Sequence, residues 1–248
     1  MRERNHVVKR LGAIVFAAAL AIAALAPAVS ETEAATKYSV KKVSYSKDYK
    51  LDDGTTYFSV TGKFPTIKDD SEAAQKINAA LTKEKNRLVK EWKNNASEYK
   101  SEIQQDGSVG WLYGDGITYK VTANNKKYFS VILSGYLFLG GAHGMPYRSC
   151  LTFDAKTGEK LTAAKVFGIS KKKLNQKVQK LYLAKFDKNN PDDGFYPVTR
   201  KEFQKSVSSM NFNSSFYVKD NGKAVFYAEP YALGPYAAGF IQVSATIK

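Results

Sequence analysis

Cysteine and histidine are scarce in this chain of 248 residues, which contains one cysteine and two histidines. A single cysteine excludes an internal disulfide, so a hydrophobic core must stabilise the fold. After the first thirty residues the only histidine is His143. Zinc sites usually take three or four His, Cys or carboxylate ligands, and the sequence has no His/Cys cluster of that kind. We therefore expect neither a metal site nor a cofactor.

Catalytic combinations of residues are equally scarce. A nucleophilic site built on histidine could use only His143, and Cys150 follows it seven residues later. A Cys-His pair across a hairpin is compatible with this spacing, but nothing else completes such a site. We interpret Cys150 as a small apolar residue of a strand and His143 as a hydrogen-bonded member of a glycine-rich turn. No catalytic residue is predicted.

A basic leader and an apolar run open the sequence. The leader contains Arg2, Arg4, Lys9 and Arg10, and an Ala-rich run follows over 11–26. This order, followed by small residues, predicts a secretory signal peptide over residues 1–30 that is cleaved between residues 28 and 35. The alternative is an uncleaved membrane anchor, because the run approaches the roughly 17 residues that a membrane span needs. We expect a secreted protein, with the membrane as a partner only if the signal peptide is retained.

Acidic residues are outnumbered by basic ones. The whole chain has 38 Lys+Arg and 23 Asp+Glu, and loss of residues 1–30 removes four basic groups and one acid, so the net charge falls from +15 to +12. Such a surplus attracts anionic surroundings, for example wall polymers, lipid headgroups or acidic proteins. No nucleic-acid-binding motif accompanies it, so we expect no nucleic-acid partner.

Residue patterns predict an α+β fold with antiparallel sheets, one long helix and one or two shorter helices. Strands are predicted over 38–45, 57–64, 117–122, 128–139, 147–154, 216–218, 224–228 and 240–247. Pro65 is expected to end the second strand, because proline has no N–H to donate. Helices are predicted over 71–105, 170–189 and 199–208.

Two of these helices show which face they bury. In the long helix an apolar stripe recurs at spacings of three, four and seven, and it consists of Ala74, Ile77, Leu81, Leu88 and Trp92. In the second helix, Leu174, Val178 and Leu181 are predicted to point inward, and the outer face is strongly basic.

Large aromatic residues stand beside glycines in two predicted loops. The first loop contains Trp111 and Tyr113, and the second contains Tyr231 and Tyr236. If exposed, these side chains are anchors for a sugar chain or a protein partner. If buried, they plug the core at the ends of strands. The sequence leaves both alternatives open.

A glycine-rich turn, Gly140-Gly141-Ala142-His143-Gly144, lies between two predicted strands. Its spacing matches neither GxGxxG nor the P-loop, and a strand follows where a phosphate-binding loop requires a helix. A bulge or tight bend that needs positive φ accounts for Gly140 and Gly141.

Two segments resemble signature sequences of a bacterial extracytoplasmic family. They are the turn 140–144 and the stretch 226–239, whose matching residues include Pro230, Tyr231, Pro235, Tyr236 and Gly239. The family includes the lysozyme-sensing domain of the anti-sigma factor RsiV and the non-catalytic N-terminal region of the peptidoglycan deacetylase PdaC. Ile77-Asn78 and the segment 161–167 also fit this family. The resemblance covers nearly all of residues 37–248.

The resemblance implies two sequence-contiguous parts that pack as one unit, a PdaC N-terminal-like domain over 37–150 and an RsiV C-terminal-like domain over 151–248. It also implies a location at the cell envelope. It implies no catalysis, because the deacetylase chemistry of PdaC belongs to a separate domain. The ten residues before the apolar run are too few for the cytoplasmic segment of RsiV, so we expect the extracytoplasmic module alone.

These observations lead to the hypothesis of a secreted, non-enzymatic binding module at the bacterial cell envelope. Its basic surface would interact with an anionic cell-wall polymer or with an envelope or secreted protein. A first alternative is a sensor or inhibitor of lysozyme-like wall-degrading enzymes, although common lysozymes are basic and a surplus of +12 repels them at long range. A second alternative is an enzyme that acts on the wall through His143.

Overall fold

Two β-sheets stack face to face in the described part of the chain, and helices cover both outer sides. The computed structural model describes residues 37–106, 112–188 and 190–247, and these residues belong to one compact unit. The signal peptide predicted over 1–30 and the loop residue Trp111 lie outside the described residues. The predicted α+β class is confirmed.

The first sheet contains five strands in the order β1-β2-β3-β4-β5. The long helix α1, Glu72–Asp106, joins β2 to β3 and covers one face of this sheet. The bounds of the strands are Val40–Lys50 for β1, Thr56–Ile67 for β2, Tyr113–Asn124 for β3, Tyr128–Phe138 for β4 and Met145–Asp154 for β5.

The second sheet contains three antiparallel strands in the order β6-β7-β8, and its outer face packs on three helices. No helix in the described ranges is both long and apolar enough to span a membrane. The bounds of these elements are Ala163–Phe167 for α2, Lys171–Phe186 for α3, Arg200–Ser208 for α4, Phe216–Val218 for β6, Lys223–Ala228 for β7 and Ile241–Thr246 for β8.

One pair of strands departs from the predicted antiparallel arrangement. β2 and β3 pair in parallel, Phe58–Gly62 with Tyr113–Ile117, whereas the other pairs of the first sheet are antiparallel. The reason is the connection between them, since a helix returns the chain to the end of the sheet at which β2 began. Because of this pairing, β3 begins at Tyr113, four residues before the predicted start of the strand.

The prediction that Pro65 ends β2 is wrong, because the strand continues two residues beyond it. Lys68 N donates to Ser39 O, which places Pro65 opposite Lys42 at a position where antiparallel strands exchange no hydrogen bond. The side of proline that lacks an N–H therefore faces away from β1, and β3 pairs with β2 only as far as Gly62. The ladder loses no bond at Pro65.

The predicted stripe of α1 is buried and is fixed to the first sheet. The exposed fraction is 5% or less for each of its residues, Ala74, Ile77, Leu81, Leu88 and Trp92. Asn78 lies beside this stripe, and its side chain accepts from Ile67 N at 2.8 Å and donates to Ile67 O at 2.9 Å. These two bonds attach the first turns of α1 to the last residue of β2.

The buried face of α3 differs from the prediction at one residue. Leu174 and Val178 are fully buried as predicted, but Leu181 is only half-buried and Tyr182 takes the third inward position. A spacing of four keeps Tyr182 in line with Val178, and its hydroxyl donates to Ile241 O at 2.9 Å. The apolar pattern favoured leucine because the acceptor for the tyrosine hydroxyl comes from a distant strand.

Two buried hydroxyls lie between the sheets. Ser130 of β4 and Thr152 of β5 are 0% and 1% exposed, and their hydroxyl oxygens are 2.9 Å apart. Val218 N of β6 donates to Ser130 Oγ at 3.1 Å. This N–H faces away from β7, because the neighbouring Lys219 N bonds Lys223 O on that strand. The Ser130 hydroxyl therefore satisfies a backbone group at the edge of the second sheet.

A buried carboxyl lies beneath α1. Asp115 of β3 is 8% exposed, and the Tyr147 hydroxyl donates to its carboxyl oxygens, 2.9 Å from each. Burial raises the pKa of Asp115 to about 6. The Tyr147 ring reaches this position across Gly135, where an added Cβ would lie 2.1 Å from it. Gly135 is thus required for the Asp115–Tyr147 contact.

Replacement of Ser130 by alanine is expected to lower the free energy of unfolding by about 1–3 kcal/mol, because Val218 N–H stays buried without an acceptor. Ser134→Ala is the matched control, since Ser134 lies on the same face of β4 but is exposed. Chemical denaturation of the native protein and both variants measures the effect. Equal stabilities for the three proteins would contradict this role of Ser130.

The free energy of unfolding is expected to fall as the pH rises from about 4 to about 7. In the unfolded chain the Asp115 carboxyl ionises near its ordinary pKa of 3.8, whereas in the folded protein its pKa is about 6. The folded state therefore binds more protons in this window, and stability is lost as the pH rises through the folded pKa, by up to about 3 kcal/mol.

The variant Asp115→Asn tests this origin, because it keeps an oxygen that accepts from Tyr147 but cannot titrate. Denaturation over the same pH series should give a flatter dependence for the variant than for the native protein. Burial also raises the pKa of Glu229, to about 7. Glu229 is present in both proteins, so the difference between their curves reports Asp115. Two parallel curves would show that Asp115 does not titrate in this window.

Candidate functional site

The glycine-rich turn joins β4 to β5 and is tightly constrained. Gly140 and Gly141 have φ of 84° and 77°, a region that glycine adopts without steric cost. Gly144 is needed for a different reason, because a Cβ there would lie 2.5 Å from Leu137 O and 2.6 Å from the Tyr136 ring. The glycines let the chain fold closely against Tyr136 and leave His143 exposed.

The second motif segment packs directly on this turn. The rings of His143 and Tyr236 are stacked, with centroids 3.8 Å apart and planes inclined by 20°. His143 Nδ1 lies 3.0 Å from Gly144 O, and Nε2 lies 3.4 Å from the Tyr231 hydroxyl. A carbonyl oxygen only accepts, so this geometry fits a hydrogen on Nδ1 and a bond from Tyr231 to Nε2. His143 thus links two motif segments that are far apart in the sequence.

Tyr231 has a strained backbone. Its φ of 67° makes it the one non-glycine residue with positive φ in the described ranges. This conformation costs a bulky residue about 1–3 kcal/mol. Pro230 and Leu233 are buried on either side, whereas Tyr231 itself is 45% exposed. The loop is therefore fixed in a form that presents the tyrosine to solvent.

Tyr136 completes the cluster from the first sheet. Its hydroxyl accepts from Gly144 N at 2.8 Å, and a hydrogen bond between the Tyr136 and Tyr236 hydroxyls raises the pKa of Tyr236. Tyr136 is 44% exposed, and Leu139 and Met145 of the same hairpin are 37% and 40% exposed. Met145 lies opposite Leu137 in the ladder, on the face of the sheet that α1 covers, so it is not part of the cluster. We call the following set the aromatic surface: Tyr136, His143, Tyr231 and Tyr236.

Arg148 of β5 supports both ends of the second motif segment. Its guanidinium carbon lies 3.8 Å from the centroid of the Phe240 ring, which follows the segment. At the start of the segment, the charge of Arg148 opposes the rise in the pKa of Glu229 that burial causes. The Nε and Nη1 atoms of Arg148 are buried without a hydrogen-bond partner among the described residues. The cation–π contact offsets part of this desolvation.

The first aromatic loop does not contribute to the aromatic surface in the described part of the chain. Tyr113 packs on Tyr99 of α1, with ring centroids 5.0 Å apart. It therefore lies on the face of the first sheet that α1 covers, whereas Tyr136 lies on the opposite face. Trp111 falls outside the described residues.

Cys150 and His143 have separate surroundings. The Cys150 thiol lies near Tyr227 of β7, and burial raises the pKa of the thiol to about 11. His143 instead contacts Tyr231 and Tyr236. A thiol with such a pKa stays protonated at neutral pH and is a poor nucleophile. The contacts of the two residues do not make a Cys-His dyad.

The aromatic surface offers contact area rather than reacting groups. Both ring nitrogens of His143 have partners within the cluster. Over residues 37–106, 112–188 and 190–247, no three His, Cys, Asp or Glu side chains lie close enough together to hold a metal ion. Rings that are already fixed by stacking and hydrogen bonds lose little conformational freedom when a partner binds. The arrangement therefore suits binding.

Sequence reasoning missed Tyr136, Leu139 and Met145 as surface residues. They continue the apolar pattern of two strands, and that pattern predicts burial. In the structure β4 is buried from Tyr128 to Leu133 and becomes increasingly exposed after it. The only local signal for this change is the glycine-rich motif that follows.

Comparison with known protein families gives two matches. Residues 51–146 match the family described as deacetylase PdaC, and residues 164–247 match a protein family of unknown function, DUF3298. The PdaC match indicates an extracellular, envelope-associated module, and neither match assigns a catalytic activity to this chain. No curated protein matches the chain.

Two solved structures share the fold. A DUF3298 family member from Bacteroides fragilis NCTC 9343 is 18% identical with a TM-score of 0.57, over 85% of this chain and 91% of that chain. A DUF3298 family protein from Pseudomonas aeruginosa PAO1 is 15% identical with a TM-score of 0.53, over 85% of this chain and 90% of that chain. At such identities the likeness concerns the fold alone. The chain thus contains a region that matches the PdaC family followed by a region that matches DUF3298, in agreement with the family that its two motif segments resemble.

Proposed function

We propose that the protein is a secreted, non-enzymatic binding module of the bacterial cell envelope, and that its aromatic surface contacts a protein partner. The observation that carries this proposal is the meeting of the two motif segments at His143 and Tyr236, which are stacked 3.8 Å apart at the surface. A strained backbone at Tyr231 is retained there although the side chain is exposed. Strain of this kind concentrates at functional sites.

The composition of the aromatic surface favours a protein over a sugar chain. Sugars stack on open ring faces, but one face of the Tyr236 ring is covered by His143. Tyr136 and Tyr231 are 44% and 45% exposed, and the cores of protein interfaces are enriched in tyrosine. The basic surplus of the mature chain would separately attract the module to anionic wall polymers.

A sensor or inhibitor of lysozyme-like enzymes is the second candidate, because these wall-degrading enzymes are proteins, the class of partner that we propose for the aromatic surface. The surplus of +12 repels a basic lysozyme only at long range, since exposed charges are screened within about 10 Å at 0.1 M ionic strength. Titration of the protein against acidic and basic lysozyme-like enzymes tests this candidate. Binding that Tyr231→Ala abolishes would support it, and absence of binding across the panel would exclude it.

The variants Tyr231→Ala and Tyr236→Ala are expected to weaken capture of the protein partner about thirtyfold or more, the usual effect of removing an interface anchor. Val198→Ala is the control, because Val198 is 38% exposed but lies outside the aromatic surface. Immobilised native protein and variants are compared for retention of the same partner from envelope and culture fractions. Equal retention by all four proteins would rule out the aromatic surface as the contact.

The hypothesis of an enzyme that acts through His143 can be tested separately. We expect the native protein and His143→Ala to leave purified cell wall equally intact, because both ring nitrogens of His143 have structural partners. Released reducing ends, free amines and acetate measure hydrolysis and deacetylation of the wall. Native activity that disappears in a folded His143→Ala variant would overturn the non-enzymatic reading.

A further inference from the structure

Helix α3 carries positive charge that nothing in its own sequence neutralises. Its 16 residues, Lys171–Phe186, include six lysines and no acidic residue. The longer helix α1 has seven basic and six acidic residues in 35 positions. The basic surplus of the chain is therefore unevenly distributed, and α3 carries a large share of it.

Three of these lysines form a continuous exposed stripe. Lys173, Lys177 and Lys180 are exposed and follow one another at spacings of four and three, which place them on one face of the helix. The opposite face packs into the core through Leu174 and Val178. We call these three residues the lysine stripe. Its orientation toward solvent is fixed by the burial of the other face.

Two acidic residues near the end of α3 are already engaged. Asp187 accepts from Arg200 at 2.8 Å, and Asp193 forms an ion pair with Lys185 at 3.1 Å. In the described ranges no salt bridge reaches the lysine stripe. The ammonium group of Lys177 lies 5.1 Å from the centroid of the Phe167 ring. This contact orients the group but does not neutralise its charge.

This arrangement opposes the stability of the helix. Like charges at spacings of three and four repel each other. The first turn, Lys171–Lys173, also places positive charge at the end of the helix where the macrodipole is positive. A bound anion would reduce both the repulsion between the lysines and their unfavourable interaction with the helix dipole. The charge pattern therefore does not serve the stability of the helix.

Building on the proposed envelope location, we propose that the lysine stripe binds a linear wall polymer with repeating phosphate groups. Flexible ammonium groups spaced along a helix suit successive phosphates of a chain, and Lys binds phosphate as a point charge. An anionic membrane is less suitable, because none of the large exposed apolar residues in the described ranges belongs to α3. Helices that lie on membranes bury an apolar face in the lipid, whereas the apolar face of α3 is in the core.

The test compares two variants with the same change in net charge. Lys173→Gln/Lys177→Gln/Lys180→Gln removes the stripe, and Lys83→Gln/Lys90→Gln/Lys93→Gln removes three exposed lysines of α1. Binding of the purified protein to poly(glycerol phosphate) is measured by titration between about 0.05 and 0.3 M NaCl. A parallel titration uses vesicles of phosphatidylglycerol and phosphatidylcholine.

We expect the stripe variant to bind the polymer about tenfold more weakly than the α1 variant, with a plot of log affinity against log salt that is shallower by about 2. Equal weakening by both variants would show that net charge alone is responsible and would overturn the proposal. Binding to vesicles but not to the polymer would overturn it as well. Glutamine relieves like-charge repulsion, so the stripe variant should remain folded, as circular dichroism would verify.

A variant of the aromatic surface distinguishes a failure of this inference from a failure of the proposed function. Tyr231→Ala should leave polymer binding unchanged, and the stripe variant should leave capture of the protein partner unchanged in the absence of polymer. Loss of polymer binding in Tyr231→Ala would place the polymer at the aromatic surface and would refute the lysine stripe as its site.

Discussion

The packing of the second sheet on β3, β4 and β5 is the interaction on which the rest of the structure depends. It buries the hydroxyls of Ser130 and Thr152 and supplies an acceptor for the edge of β6. It also brings the thiol of Cys150 to Tyr227. Because the sheets pack in this way, the loop after β7 reaches the turn after β4, and the two motif segments meet. The two sequence-matched regions are thus joined by the contacts between the two sheets.

The periodic elements could be predicted from the sequence, and the contacts between distant elements could not. Burial of the Trp92 stripe follows from spacing alone. The parallel pairing of β2 with β3 depends instead on how a long helix returns the chain. Pro65 is accommodated because the pairing of β3 with β2 ends at Gly62, and no local pattern contains that fact. Tyr182 is buried because a strand 59 residues later offers a carbonyl.

In the candidate site, too, local sequence patterns identify some residues, whereas the contacts between distant residues could not be predicted. His143, Tyr231 and Tyr236 stand out in the sequence because they lie within motif segments, but their mutual stacking depends on the sheets. Tyr136 carries no such signal, since a tyrosine in an apolar strand is ordinarily a core residue. Its exposure arises where β4 extends past its buried half. A surface of this kind becomes visible only when burial is known residue by residue.

The two proposed surfaces act over different distances, so that one could attract the module to the wall before the other contacts its partner. Charge on α3 acts over roughly a Debye length and concentrates the module where polyanions are dense. The aromatic surface acts only on contact, where shape and apolar area decide which partner is kept. A polymer bound at the lysine stripe would also neutralise part of the positive charge that repels basic proteins. Occupancy of α3 would then favour a basic partner at the aromatic surface, so that the wall itself sets where the module can bind.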